Sequence, residues 1–104
     1  MFIEVATVTE SHAVIQQVTD SHGVIAHLAM NRWPDLAQTV CLRFVEPWGT
    51  AVFNQTQIPE LLSELRAEIN VAEDAPAKEH LQAVAHLVET AVDQMHVYVK
   101  FIGD

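Results

Sequence analysis

The chain opens with short apolar runs and closes with apolar residues at helical spacing. Phe2 to Val8 is rich in β-branched residues, carries one charge at Glu4, and predicts a strand. Thr9-Glu10-Ser11-His12 reads as a turn. Val14 to Thr19 and Val24 to Met30 are the next two apolar runs, both expected as strands. Asp20-Ser21-His22-Gly23 between them has the form of a hairpin turn. Asp bonds its own backbone there, and Gly takes the positive φ that closes the turn. A helix over Ser11 to Val18 is the competing reading, against which the β-branched residues argue. Trp33-Pro34-Asp35 places a loop over Asn31 to Gln38, because proline lacks a donor and biases its predecessor toward extended backbone. Val40 to Val45 then alternates, with Val40, Leu42 and Phe44 pointing one way and Cys41, Arg43 and Val45 the other. Glu46-Pro47-Trp48-Gly49 suits a type I turn, and Thr50 to Asn54 returns as the partner strand.

From Ile58 the spacing changes. Ile58, Leu61, Leu62, Leu65 and Ile69 form one helical stripe, with Glu60, Ser63, Glu64 and Glu68 assigned to the opposite face. Pro59 fits the first turn of that helix. Asn70 to Ala75 interrupts it, and Asp74 with Pro76 marks a second helix start. The second stripe is Leu81, Val84, Ala85, Val88, Ala91, Val92 and Met95, with His80, Gln82, His86, Glu89 and Asp93 away from it. Val97 to Ile102 alternates again as a closing strand, and its apolar character predicts a place inside the sheet. Strands, then two helices, then a strand give an α+β fold. The expectation is a two-layer sandwich: a mostly antiparallel sheet of five or six strands, with two helices packed on one face. No linker, repeat or low-complexity segment divides the chain, so residues 1–104 are read as a single domain.

Composition narrows the function classes. Half of the 104 residues are hydrophobic and 18% are charged, the reverse of a disordered chain. The formal net charge is −9, from five basic and fourteen acidic residues. Arg32, Arg43, Arg66, Lys78 and Lys100 are scattered, so there is no basic face for nucleic acid or for an anionic membrane. The acidity supports solubility and leaves room for a basic protein partner. The first residues carry no secretory pattern, no stretch suits a membrane helix, and the expected location is the cytoplasm. Cys41 stands alone, so no internal disulfide forms.

Six histidines raise the question of a metal. His80 and His86, six residues apart, fall about 240° apart around a helix and share no ligand face. His12, His22 and His27 converge only through tertiary packing. The histidines are therefore read as exposed, and neither a metal nor a cofactor is expected. Cys41, between apolar neighbours, reads as an inert thiol. No glycine-rich phosphate loop or nucleophile elbow is present, and no catalytic residue is assigned.

Two features point toward binding instead. Trp48 sits in a tight turn, where it either folds onto the core or stands out as a contact residue. Arg43, Tyr98 and Lys100 are expected on the outward sheet face, either paired with Glu4 or Glu46 or forming a contact surface. Arg43, Trp48, Tyr98 and Lys100 are thus the candidate partner-binding residues. The leading functional expectation is a non-enzymatic protein-binding module: a small acidic neutralising (immunity-like) or adaptor protein, with a protein partner or a second copy in a homodimer. The alternative is a small-molecule binder or small enzyme with a His/carboxylate pocket between sheet and helices.

Overall fold

A computed structural model describes residues 1–7 and 13–103. In chain order the elements are β1 (Phe2–Thr7), β2 (Val14–Thr19), α1 (Val24–Asn31), β3 (Thr50–Phe53), α2 (Ile58–Val71), α3 (Ala75–Val92) and β4 (Val97–Ile102). Short 3-10 turns lie at Ser21–Gly23, Trp33–Asp35 and Leu42–Phe44. The turn expected over Thr9 to His12 lies outside the described residues. One antiparallel sheet runs in the order β2-β1-β4-β3, so the last strand is central, as its apolar sequence predicts.

The strand register separates two faces. Ile3 stands opposite Phe101 and Val5 opposite Val99, and Phe53 continues the row beyond Val99. These residues and Val97 are buried against the helices. The alternate row holds Phe2, Glu4 and Ala6 opposite Ile102, Lys100 and Tyr98, with Val52 beside Lys100. Phe2 and Val52 are exposed, and Tyr98, Lys100 and Ile102 are half-buried. Among the described residues, then, the helices cover one face of the sheet, and on the other Glu4 and Ala6 are buried while the rest of the row is exposed or half-buried. Helix α3 lies across β1, β2 and β4, and α2 packs on α3. Asp74 starts α3 by accepting the Ala77 N–H at 3.0 Å, as expected of an N-cap. At the end of β4, Gly103 donates to the Gly49 carbonyl at 2.7 Å. A side chain at Gly103 would collide with the carbonyls of Pro47 and Gly49.

The α+β class and the antiparallel sheet match the expectation, but the described residues hold four strands and three helices instead of five or six and two. Two segments account for the difference. Val24 to Met30 is helical within α1, not a strand. The Asp20 carboxylate accepts the N–H groups of Ile25 and Ala26, at 2.8 and 3.0 Å, and so satisfies donors of the first helical turn. Consecutive left-handed residues, His22 (φ 56°) and Gly23 (φ 67°), bend the chain into that helix. Ile25 and Ala29, one turn apart, become its buried side.

Val40 to Val45 is not a strand either, and Thr50 to Asn54 has β4 as its partner instead. Glu64 of α2 accepts three successive backbone N–H groups, from Val40 at 2.7 Å, Cys41 at 3.1 Å and Leu42 at 2.9 Å. Successive N–H groups converging on one carboxylate require curled backbone, because a strand alternates them. Cys41, Leu42 and Val45 are buried, while Val40, Arg43 and Phe44 face out, so the two-residue alternation fails.

Within the helices the stripes are buried except for Ile69 and Val92, which are half-buried, and three assignments change. Glu68 and His80, read as outward, are buried, and Met95 is exposed beyond the end of α3.

Candidate functional site

The four candidate binding residues fall in three places. Tyr98 and Lys100 share the sheet face away from the helices, with Ile102 beside them. Trp48 occupies the turn leading into β3, at the end of the sheet where Thr50 pairs with Ile102. Arg43 is not on the sheet. It lies in the Leu42–Phe44 turn, with its guanidinium carbon 5.1 Å from the centre of the Phe44 ring.

That turn belongs to an unusual segment. From Val40 to Trp48 the chain exposes Val40 at 57%, Phe44 at 60% and Trp48 at 71% of their surface. The intervening Cys41, Leu42 and Val45 are anchored in the core, and Glu64 clamps the backbone from below. The segment is thus a fixed loop carrying two aromatic rings and an arginine into solvent. Phe44 and Val40 escaped the sequence reading because alternation placed them inward. A signal was available in the run Glu60, Glu64, Glu68. Like charges one helical turn apart repel unless each finds a partner, and Glu64 and Glu68 both do.

Glu68 organises the second feature. Its carboxylate accepts from Arg32 Nε at 2.8 Å and Nη2 at 2.9 Å, and from the buried Trp33 Nε1 at 2.7 Å. The hydrogen bonds and charge of Glu68 raise the pKa of the Arg32 guanidinium above its ordinary value. A third link joins α1 to α3. His80 Nε2 lies 3.0 Å from Asp20 Oδ1 and 3.2 Å from the Ser21 N–H. One ring nitrogen cannot donate and accept at once. Nε2 therefore accepts from the Ser21 N–H in one tautomer and donates to the Asp20 carboxylate in the other.

Between α1, the end of α2 and the start of α3 lies a cleft of about 590 Å³. His22, His27 and Arg32 line one side, and Glu73 and Asp74 the other. This space is set among the helices, not between sheet and helices as the pocket reading had it. A smaller groove of about 140 Å³ does lie between β2 and α3, lined by Gln16, Gln17, Val18, Ala83, His86 and Leu87.

Cys41 is unsuited to nucleophilic chemistry. Burial first, then the charges of Glu64 and Glu60, push its thiol pKa up to about 11, so the thiolate is scarce near neutrality. Among the described residues no three His, Cys, Asp or Glu side chains gather as a metal site requires, and no helix is long and apolar enough to cross a membrane. Comparison with protein-family models, curated proteins and solved structures returned no match.

Proposed function

We propose that this chain is a non-enzymatic protein-binding module, a neutralising or adaptor protein, that grips a basic partner through the 40–48 loop and the adjoining outer sheet face. The observation that carries this reading is the loop itself. Three large apolar side chains and Arg43 stand in solvent on backbone that the half-buried Glu64 carboxylate and three core residues hold in place. Folding gains nothing from that exposure, whereas aromatic and arginine side chains dominate binding energy at interfaces. Tyr98 and Lys100 extend the surface along the sheet.

The test compares Trp48→Ala and Arg43→Ala with the parent protein. Each should shift stability by less than about 0.5 kcal/mol, as exposed positions do. Each should also strip the bound partner when the protein is used as bait in an extract of its source cells. A stability loss of several kcal/mol with capture unchanged would show that Trp48 serves the fold alone.

The α1/α2/α3 cleft favours a second reading, a small-ligand binder, because basic and acidic side chains face each other across it. A thermal-shift screen with small amphoteric and ionic compounds separates the two. A ligand whose stabilisation disappears in Glu73→Ala and survives in Trp48→Ala would move the function to the cleft.

A further inference from the structure

We infer that the cleft among α1, α2 and α3 binds a short apolar peptide by its two free ends. The inference rests on the reading of the cleft as a small-ligand site, and it names the ligand's chemistry. The cleft volume, about 590 Å³, falls within the roughly 300–1,000 Å³ of drug-sized sites.

The basic wall offers donors. Arg32 gives Nε and Nη2 to Glu68, at 2.8 and 2.9 Å, while its Nη1 has no partner among the described residues. The Asn31 side-chain nitrogen lies 3.1 Å from the His27 carbonyl oxygen and 3.2 Å from His27 Nδ1. An amide nitrogen donates, so Nδ1 accepts and the ring proton stands on Nε2, which is left as a donor. His22 joins this wall from a left-handed backbone, φ 56°, that residues other than glycine rarely take. The turn is fixed on either side of it: His80 Nε2 lies 3.2 Å from the Ser21 nitrogen, and Asp20 accepts from Ile25 and Ala26. Strained residues held by their surroundings gather at ligand sites.

The facing wall offers acceptors. The Glu73 carboxylate has no partner among the described residues, and Asp74 engages only Oδ2, with the Ala77 N–H. Among the described residues no ion pair joins either carboxylate to the basic wall. Between the walls the lining is apolar, with Leu28, Val71 and Leu81, and Val71 is 57% exposed. An ammonium suits Glu73 and Asp74, a carboxylate suits Arg32 and His27, and an apolar stretch joins them. A free amino acid carries both charges on one carbon. A peptide carries them at opposite ends, as the two walls require, and capture of free termini is a recurring mode of peptide recognition.

The test is titration of the full chain with trileucine, read by amide NMR. Trileucine should shift the amides of Val24 to Leu28 and of Val71 to Ala77, and should bind more tightly than leucine. Acetylating its amine or amidating its carboxylate should each weaken binding about fivefold, the upper value of an exposed ion pair. Glu73→Gln and His27→Ala both change exposed positions. The first should weaken trileucine by the same factor and leave the acetylated peptide unaffected, and the second should do so for the amidated peptide. No shift in the cleft at millimolar trileucine overturns the inference, as does equal binding of the blocked peptides or of leucine. The small-molecule screen tells these failures from failure of the cleft reading. A hit lost in Glu73→Ala keeps the cleft as a ligand site although trileucine is silent, and silence in both experiments removes both.

Discussion

Glu68→Ala should be among the most damaging single changes on α2, although spacing alone places that residue on the solvent side. The carboxylate holds three donors. The Trp33 ring is fully buried, and among the described residues its N–H bonds Glu68 alone. Orphaning such a donor costs about 1–3 kcal/mol. The Arg32 side chain is 45% exposed and can turn to solvent, so the lost ion pair adds only about 1 kcal/mol. Removing the packed methylene of Glu68 adds roughly another 0.8 kcal/mol. The sum is about 4 kcal/mol, a large part of the 5–15 kcal/mol typical of a whole domain. Glu68→Gln keeps an oxygen for Trp33 and should lose about half as much. Glu89→Ala is the control, because the Arg66–Glu89 pair spans 3.4 Å with both partners mostly exposed, and its loss should be negligible. The assay is urea unfolding in a Trp48→Phe background, where Trp33 becomes the sole indole and reports its own surroundings. A Glu68→Ala loss below about 1 kcal/mol, or equal losses for Gln and Ala, would refute the account, the threshold being a typical net hydrogen bond.

Glu64→Ala leaves the N–H groups of Cys41 and Leu42 without their acceptor in a buried stretch and should cost about 2–4 kcal/mol by denaturant titration. It should also release the 40–48 loop, seen as faster amide exchange at Val40 to Leu42. The Cys41 thiol, raised from 9.0 to about 11, keeps its proton in the folded state while the unfolded chain loses it first. The stability linked to it is therefore complete below pH 9 and falls as pH rises toward 11, by up to about 1.4 kcal/mol per pH unit. A Cys41→Ala variant should lack that component of the fall, and thiol reagents at pH 8 should label the parent only on unfolding.

The elements that were legible in the sequence are those in which side-chain period and backbone agree. β4 alternates and lies in the middle of the sheet, and α2 and α3 bury the stripes their spacing sets out. The misread segments are those in which a carboxylate from elsewhere decides the backbone. Val24 to Met30 holds apolar residues suited to either period, and Asp20 tips it to helix by taking the first N–H groups. Val40 to Val45 alternates well enough for a strand, yet Glu64, more than twenty residues away, gathers three of its amides. His80 was misread for a related reason. It lies one turn before Val84 on the buried side, but its polarity suggested the surface until Asp20 supplied a partner. The proposed contact loop was legible in part: Trp48 and Arg43 drew notice by residue type, while Phe44 was lost with the strand that never formed.

The acidity of the chain therefore has two parts. Asp20, Glu64, Glu68 and Asp74 are taken up as acceptors within the fold, and two of them create the loop and the helix that the sequence pattern missed. Asp35, Glu46, Glu60, Glu73, Glu79, Glu89 and Asp93 are exposed and make up the field that another molecule meets. Such a field speeds the encounter with a basic partner but adds little to the hold once contact is made. The hold in the proposed module falls to Phe44, Trp48 and the stem of Arg43, side chains that lose apolar surface to water whatever the salt. The carboxylates outside would bring the partner in, and the carboxylate of Glu64 underneath keeps the gripping side chains in place before it arrives.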